Sequence, residues 1–299
     1  MELSKETNNL FIQGVDVLPK EENPIERIRC MLKNYLELDN VNFLFGTGSS
    51  LIIGARSIQS IPSVIEEAIK TEKLKDECIT EEKNLLYDEF IDIIKTLQKS
   101  ANVKRQSWKN DKGEDVCGEE IDYSLEKLLN YLLAIDFIQG HSVNATNYKH
   151  IGSLIKIIKR ELFKLCDLDS QSINDSLLTD IAKKHLQENR YYYHEYFTKK
   201  VLQRPLNLKR VNIFTTNYDL AFDNAFDRLG VNYINGFSGF HNRYFKPETF
   251  ECDIFFPGST TQGKVQRIEK VLRYFKIHGS LTWVNREPSA NCVYGIEEL

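Results

Sequence analysis

Three short stretches carry polar groups whose types and spacing suit chemistry. Val211 to Leu220 reads VNIFTTNYDL, a short apolar run followed by hydroxyl, carboxamide and carboxylate groups at Thr215, Thr216, Asn217 and Asp219, with Tyr218 among them. A carboxamide and hydroxyls can hold the polar groups of a ligand, and Asp219 can accept from a hydroxyl or offset developing positive charge. Lys276 to Trp283 reads KIHGSLTW, where His278 has a strand pattern before it and the turn Gly279-Ser280 after it. Imidazole titrates near neutrality, so a histidine so placed suits general-base work. Phe43 to Ser50 reads FLFGTGSS, with Gly46, Thr47, Gly48 and Ser49 directly after an apolar run. Glycines let the backbone approach a ligand closely, and free amides at a helix start attract negative oxygen, so this loop suits phosphate.

Each stretch also has a plainer use. Asn217 and Asp219 suit the cap of a helix beginning near Tyr218, and His278 suits a turn donating to a carbonyl. The Gly-rich loop matches neither common nucleotide fingerprint. Leu51 stands where a dinucleotide fold places its third glycine, and Glu66 and Glu67 fall in helical pattern rather than at the end of a second strand. No Gly-Lys-Ser/Thr follows either, which disfavours a P-loop.

The elements that must position these groups follow from periodicity. Val41 to Phe45, Val211 to Phe214 and Tyr274 to Ile277 have strand patterns of buried-strand length, the second a short apolar run, with weaker strand patterns at Val231 to Ile234 and Asp253 to Phe256. Leu220 opens a helix carrying Phe222, Ala225, Phe226 and Leu229. Pro24 suits the first turn of a helix with Ile25, Ile28, Met31, Leu32 and Tyr35 at helical spacing. Between the strand regions lie helical patterns: a short one capped by Ser63 and Glu66, then Leu86-Phe90-Ile93-Leu97, Ile121-Leu125-Leu128-Leu132-Ile135 and Ile151-Leu154-Ile158-Leu162-Leu165, and a further helix through Leu177 to Leu202. The chain therefore divides into an N-terminal arm at 1–23, an α/β domain at 24–59 and 205–299, and an all-helical insertion at 60–204, with a charged loop from Val103 to Glu120. In an open parallel sheet ligands sit beyond the carboxyl ends of the strands, where Thr215, Thr216, Asn217 and Asp219 fall.

Bulk properties narrow the function classes. With 299 residues, a net charge of -4 and a pI near 6.0, the chain can bury a substantial core and has no overall basic field for nucleic acid. Its six cysteines include no Cys-x-x-Cys pair, which argues against a paired-thiolate zinc site and for reduced thiols. No secretory leader and no membrane-length apolar run is read, so a soluble, cytoplasmic protein is expected. His185, Glu188, His194 and Glu195 do not form a His-Glu-x-x-His pattern, and no metal is expected. The aromatic run Tyr191 to Phe197, with Lys199, Lys200 and Arg204 close by, could stack bases but more commonly packs against neighbouring helices.

Taken together, FLFGTGSS, FTTNYD and KIHGSLTW resemble the sirtuin-like (silent information regulator) superfamily. The resemblance is to its NADase branch in bacterial antiphage defence, such as the Thoeris, defence-associated sirtuin and HerA-associated sirtuin types. It covers the α/β scaffold and not the insertion. It implies a Rossmann-like parallel sheet that binds NAD, with Gly46, Thr47, Gly48 and Ser49 at the phosphates. It also implies Asn217 and Asp219 beside the nicotinamide ribose, flanked by Thr215, Thr216 and Tyr218, and His278 as base on the Gly279-Ser280 turn. The paired cysteines of the zinc-bearing deacylases are missing, so deacylation is not expected. No later Gly-rich turn for the adenosine half follows Trp283, so the domain is expected to be cut short at its carboxyl end. The expected function is an NAD+ hydrolase that depletes the nucleotide during infection, as a homo-oligomer or with a HerA-type ATPase. The alternatives are a non-catalytic NAD or ADP-ribose sensor and a nuclease component of a defence complex.

Overall fold

The computed structural model describes residues 11–12, 15–16, 23–57, 60–72, 85–101, 125–141, 148–174, 178–205, 207–256, 266–268 and 270–299. They form two compact units, a sheet unit of Met1–Phe45, Tyr191–Asn217 and Ala221–Leu299, and a helical unit of Gly46–Arg190 and Tyr218–Leu220. The sheet unit starts with an antiparallel pair, β1 (Phe11–Ile12) and β2 (Val15–Asp16), then α1 (Pro24–Leu36) and β3 (Asn42–Phe45). The helical unit holds α2 (Ile61–Thr71), α3 (Leu85–Ala101), α4 (Leu125–His141), α5 (Ile151–Cys166) and α6 (Asp180–Glu188). The sheet unit resumes with α7 (Tyr192–Val201), β4 (Asn212–Thr215), α8 (Ala221–Leu229) and β5 (Asn232–Ile234). It continues through β6 (Phe237–Ser238), β7 (Arg243–Phe245), β8 (Phe255–Phe256), β9 (Gln266–Arg267), β10 (Val271–Lys276), β11 (Trp283–Asn285) and β12 (Ile296–Glu298).

The fold class is α/β. The central sheet has the order β3-β4-β10-β5, with every neighbouring pair parallel. Parallel strands need a crossover, and α8 supplies one between β4 and β5, leaving between them the place that β10 fills. Side chains alternate across the sheet, so Phe43 and Phe45 share one face and meet Phe197 of α7 edge-on at 4.9 and 5.1 Å. On that face Phe45 also meets Phe222 of α8 at 4.7 Å, and Phe226 meets Tyr274 at 5.2 Å. On the other face Phe214 stacks on Phe275 at 4.5 Å, and Phe275 on Phe250 at 4.1 Å. Aromatic contacts on both faces account for successive apolar positions such as Ile213-Phe214 and Tyr274-Phe275, while Leu44 is exposed and Arg273 and Lys276 interrupt β10. A second, antiparallel sheet has the order β11-β12-β7-β6. Asn235, just past β5, ties into it by donating to Glu298 Oε1 at 3.0 Å and accepting from Arg243 at 3.2 Å, while Arg243 is ion-paired with Glu298.

The helical unit follows its heptad-like spacing closely. Leu86, Phe90 and Ile93 of α3, Leu128 and Leu132 of α4, and Leu154 and Ile158 of α5 are fully buried in one cluster with Ile65 and Ile69 of α2. Two local expectations change. The expected helix from Leu177 to Leu202 is two helices, because Asn189 turns extended after α6 and Arg190 spends its guanidinium on the carbonyls of Ile53 and Gln171, both at 2.7 Å. Helix α2 starts at Ile61 with Pro62 in its first turn, so Ser63 is inside the helix, donating to the Ser60 carbonyl at 2.8 Å, and does not form a capping box. The loop from Val103 to Glu120 and most of the arm at 1–23 lie outside the described residues.

Candidate functional site

The strongest geometric fact is a row across the central sheet. Register places Phe45 of β3 beside Thr215 of β4, and Thr215 beside Lys276 of β10. The ladder runs one step further: the Thr216 amide donates to the Phe45 carbonyl at 3.0 Å, and the Ile277 amide to the Thr215 carbonyl at 2.8 Å. The three sequence motifs thus leave neighbouring parallel strands at the same, carboxyl edge, with Gly46 bonded to Phe45, Thr216-Asn217 following Thr215, and Ile277-His278 following Lys276. At this edge Gly46, Gly48 and His278 are exposed, whereas Thr215 and Asn217 are buried.

After β4, Thr215 is 1% exposed, and its Oγ1 accepts from the Asn217 amide at 3.1 Å. That local bond closes the turn and orients Asn217, itself buried. Helix α8 begins at Ala221 rather than near Tyr218. Tyr218 and Asp219 group with the helical unit, where Asp219 is buried and Tyr218 half-exposed. Desolvation, reinforced by the charge of Glu126, pushes the Tyr218 hydroxyl above its ordinary pKa.

After β10, Gly279 has φ +100°, a left-handed turn that bulkier residues resist, and His278 is exposed. Ser280 is not free-standing. Its Oγ accepts from Lys276 Nζ at 2.8 Å and lies 3.2 Å from Thr282 Oγ1. Lys276 Nζ is in turn 3.1 Å from Asp223 Oδ2, to which the Tyr274 hydroxyl also donates at 3.2 Å. Sequence reasoning gave no role to Lys276, Asp223 or Tyr274. A signal was present: Leu272, Tyr274 and Lys276 continue one face of a strand, so the lysine occupies a core position.

The Gly-rich loop belongs to the helical unit and corrects one expectation. No α-helix follows it; Thr47–Ser49 and Leu51–Ile53 are two short 3-10 turns, with the Ser49 hydroxyl donating to the Gly46 carbonyl at 2.9 Å. The dipole of a full helix is therefore absent at this place, and any anion would rest on local amides alone. Gly48 adopts no left-handed conformation, and a Cβ built on it meets no described atom within 4 Å. Neither backbone strain nor packing among described residues explains a glycine there, which leaves room beside the backbone. By contrast, a Cβ on Gly54 would stand 2.6 Å from the Ser172 carbonyl oxygen.

The remaining candidates pack or pair. His194 is 4% exposed and sits edge-on against Phe222 at 4.8 Å, with neither ring nitrogen hydrogen-bonded among the described residues. Burial pushes its pKa from 6.5 down to about 4. Glu195 accepts from Arg228 at 2.8 Å. Among the described residues no group of three or more His, Cys, Asp or Glu is arranged to hold a metal, and no helix is long and apolar enough to cross a membrane. A cavity of about 30 Å³ lined by Val201, Arg210, Val211 and Leu272 lies towards the amino ends of β4 and β10, with room for about one water, and so is not the site. No protein-family model matches the chain, and a search of curated proteins found no match.

Proposed function

We propose that the chain is an NAD+ hydrolase with a Rossmann-like sheet, cleaving NAD+ to nicotinamide and ADP-ribose as an antiphage effector. The observation that supports this reading is the Phe45-Thr215-Lys276 register, which sends FLFGTGSS, FTTNYD and KIHGSLTW out of adjacent strands at one edge. A Cβ on Gly48 would meet no described atom within 4 Å, which agrees with a phosphate contact by this loop.

In this reading the bond between ribose C1′ and the nicotinamide nitrogen breaks, its electron pair neutralising the pyridinium as nicotinamide departs. The sugar passes through an oxocarbenium-like state, which the Asp219 carboxylate stabilises by charge or through a ribose hydroxyl. Asn217, oriented by Thr215, holds the ribose, the carboxamide or the attacking water. A water oxygen bonds to C1′ as His278 takes its proton and later releases it to solvent. Gly46, Thr47, Gly48 and Ser49 hold the phosphates. Assembly with further copies or with a HerA-type ATPase belongs to the same proposal.

Mass spectrometry of the purified protein mixed with NAD+ tests it. Equal amounts of nicotinamide and ADP-ribose, growing with time, are expected. Saturable ADP-ribose binding with NAD+ left intact would replace the hydrolase by a sensor, and neither product nor binding would remove NAD from the account.

A further inference from the structure

The turn that carries His278 is held by a buried cation. The Lys276 side chain is 4% exposed, within 3.1 Å of Asp223 Oδ2 and donating to Ser280 Oγ at 2.8 Å. Asp223 stands in the first turn of α8 and is fixed a second time by the Tyr274 hydroxyl. From Ser280 the contacts pass to Thr282 Oγ1 at 3.2 Å, and the Ser280 carbonyl accepts from the Trp283 amide at 3.2 Å. One continuous chain of polar contacts therefore joins α8, the end of β10 and both sides of the His278-Gly279 turn. A well-packed apolar pair would serve stability as well as a buried ion pair does, so stability does not account for Lys276 and Asp223. Orientation does: a glycine at φ +100° imposes little order by itself, and the side chain that follows it is tethered to the strand that precedes it.

We propose that Lys276 and Asp223 are positioning residues, the ammonium anchoring Ser280 so that the turn presents His278 in one orientation. The proposal rests on the reading of His278 as the base, and its test separates the two. Lys276→Met, Ser280→Ala, their combination and Ser280→Thr are compared with the parent by amide hydrogen exchange and by NAD+ turnover. Exchange of the Trp283 amide rises roughly tenfold or more in Lys276→Met and Ser280→Ala, while β4 amides keep parent rates, and Ser280→Thr behaves as the parent. Turnover falls roughly 10- to 100-fold in kcat with KM for NAD+ within about threefold, since a base displaced by about 1 Å costs rate more than binding. The double variant is no slower than the worse single one, because both act through one contact.

Unchanged Trp283 exchange in the variants, or losses in kcat that multiply in the double variant, would overturn the proposal. If Lys276→Met does not fold, Ser280→Ala and Ser280→Thr decide the question. If the parent releases no nicotinamide, the hydrolase reading fails and the exchange measurement alone decides whether Lys276 anchors the turn.

Discussion

The core of the helical unit is almost wholly aliphatic, with Ile65, Ile69, Leu86, Ile93, Leu128, Leu132, Leu154 and Ile158 around Phe90. The core of the sheet unit mixes Val201, Val211, Ile213, Val231 and Leu272 with Phe222, Phe226 and Tyr274, and the unit's buried residues include His194, Thr215, Asn217, Asn235 and Lys276. Aliphatic side chains fill space and nothing more, whereas each buried polar group must be matched by a partner or tolerated at a cost. Thr215, Asn217 and Lys276 stand at or just past the carboxyl ends of β4 and β10, where the proposed site lies. The proposed function gives the aliphatic cluster to folding and the candidate groups, Asp219 and Gly46 to Ser49 of the helical unit among them, to chemistry, and four substitutions press on that division.

The largest effect is expected in the helical unit. Phe90→Ala removes a fully buried ring and should cost roughly 3–5 kcal/mol in denaturant unfolding. Under conditions where the variant remains folded, its NAD+ turnover should equal the parent's; a large loss in kcat would break the division.

Next comes an acid sensitivity in the sheet unit. The His194 pKa is 6.5 ordinarily and about 4 when folded, because burial disfavours the charged ring. Above pH 6.5 both states hold it neutral and nothing changes. As pH falls from 6.5 towards 4 the unfolded chain takes up the proton and the folded one does not, so stability drops by about 3 kcal/mol and levels off below pH 4. Chemical denaturation of the parent and His194→Phe across that range should show this loss in the parent only. Parallel curves would mean that the ring is not held neutral.

The smallest effects concern two glycines in the helical unit. Gly54→Ala, at φ +105° and against the Ser172 carbonyl, should lower stability by roughly 1–3 kcal/mol. Gly48→Ala should stay within about 0.5 kcal/mol of the parent yet weaken ADP-ribose binding, because its open side faces no described atom. Parent-like affinity in folded Gly48→Ala would show that the loop holds no phosphate.

Much of the strand and helix placement was legible in the chain. The strand patterns ending at Phe45, Phe214 and Ile277 announced β3, β4 and β10, which lie there within a residue or a few. Helical spacing located α3, α4 and α5 because one stripe of each faces a common core. The second sheet was not legible: Arg243–Phe245 and Ile296–Glu298 are short and carry charges, and pairing rather than apolar content makes them strands. The placement of β10 between β4 and β5 was hidden too, since it depends on which strand fills a gap and not on any local pattern. Asn217 and His278 are candidates by type and by the turns around them, and the register sets the ends of β4 and β10 side by side. Strand alternation marks Lys276 as a core position, but a lysine and an aspartate far apart in sequence give no sign that they share one contact.

The most direct test of the strand-edge site is the initial rate of nicotinamide release by His278→Ala, beside the parent and with ADP-ribose affinity measured on both. A positioned general base is worth about 10² to 10⁴ in rate, so the account predicts a loss of that size, about 3–5 kcal/mol in the barrier, with affinity within a few-fold of the parent. A rate within a few-fold of the parent would contradict it.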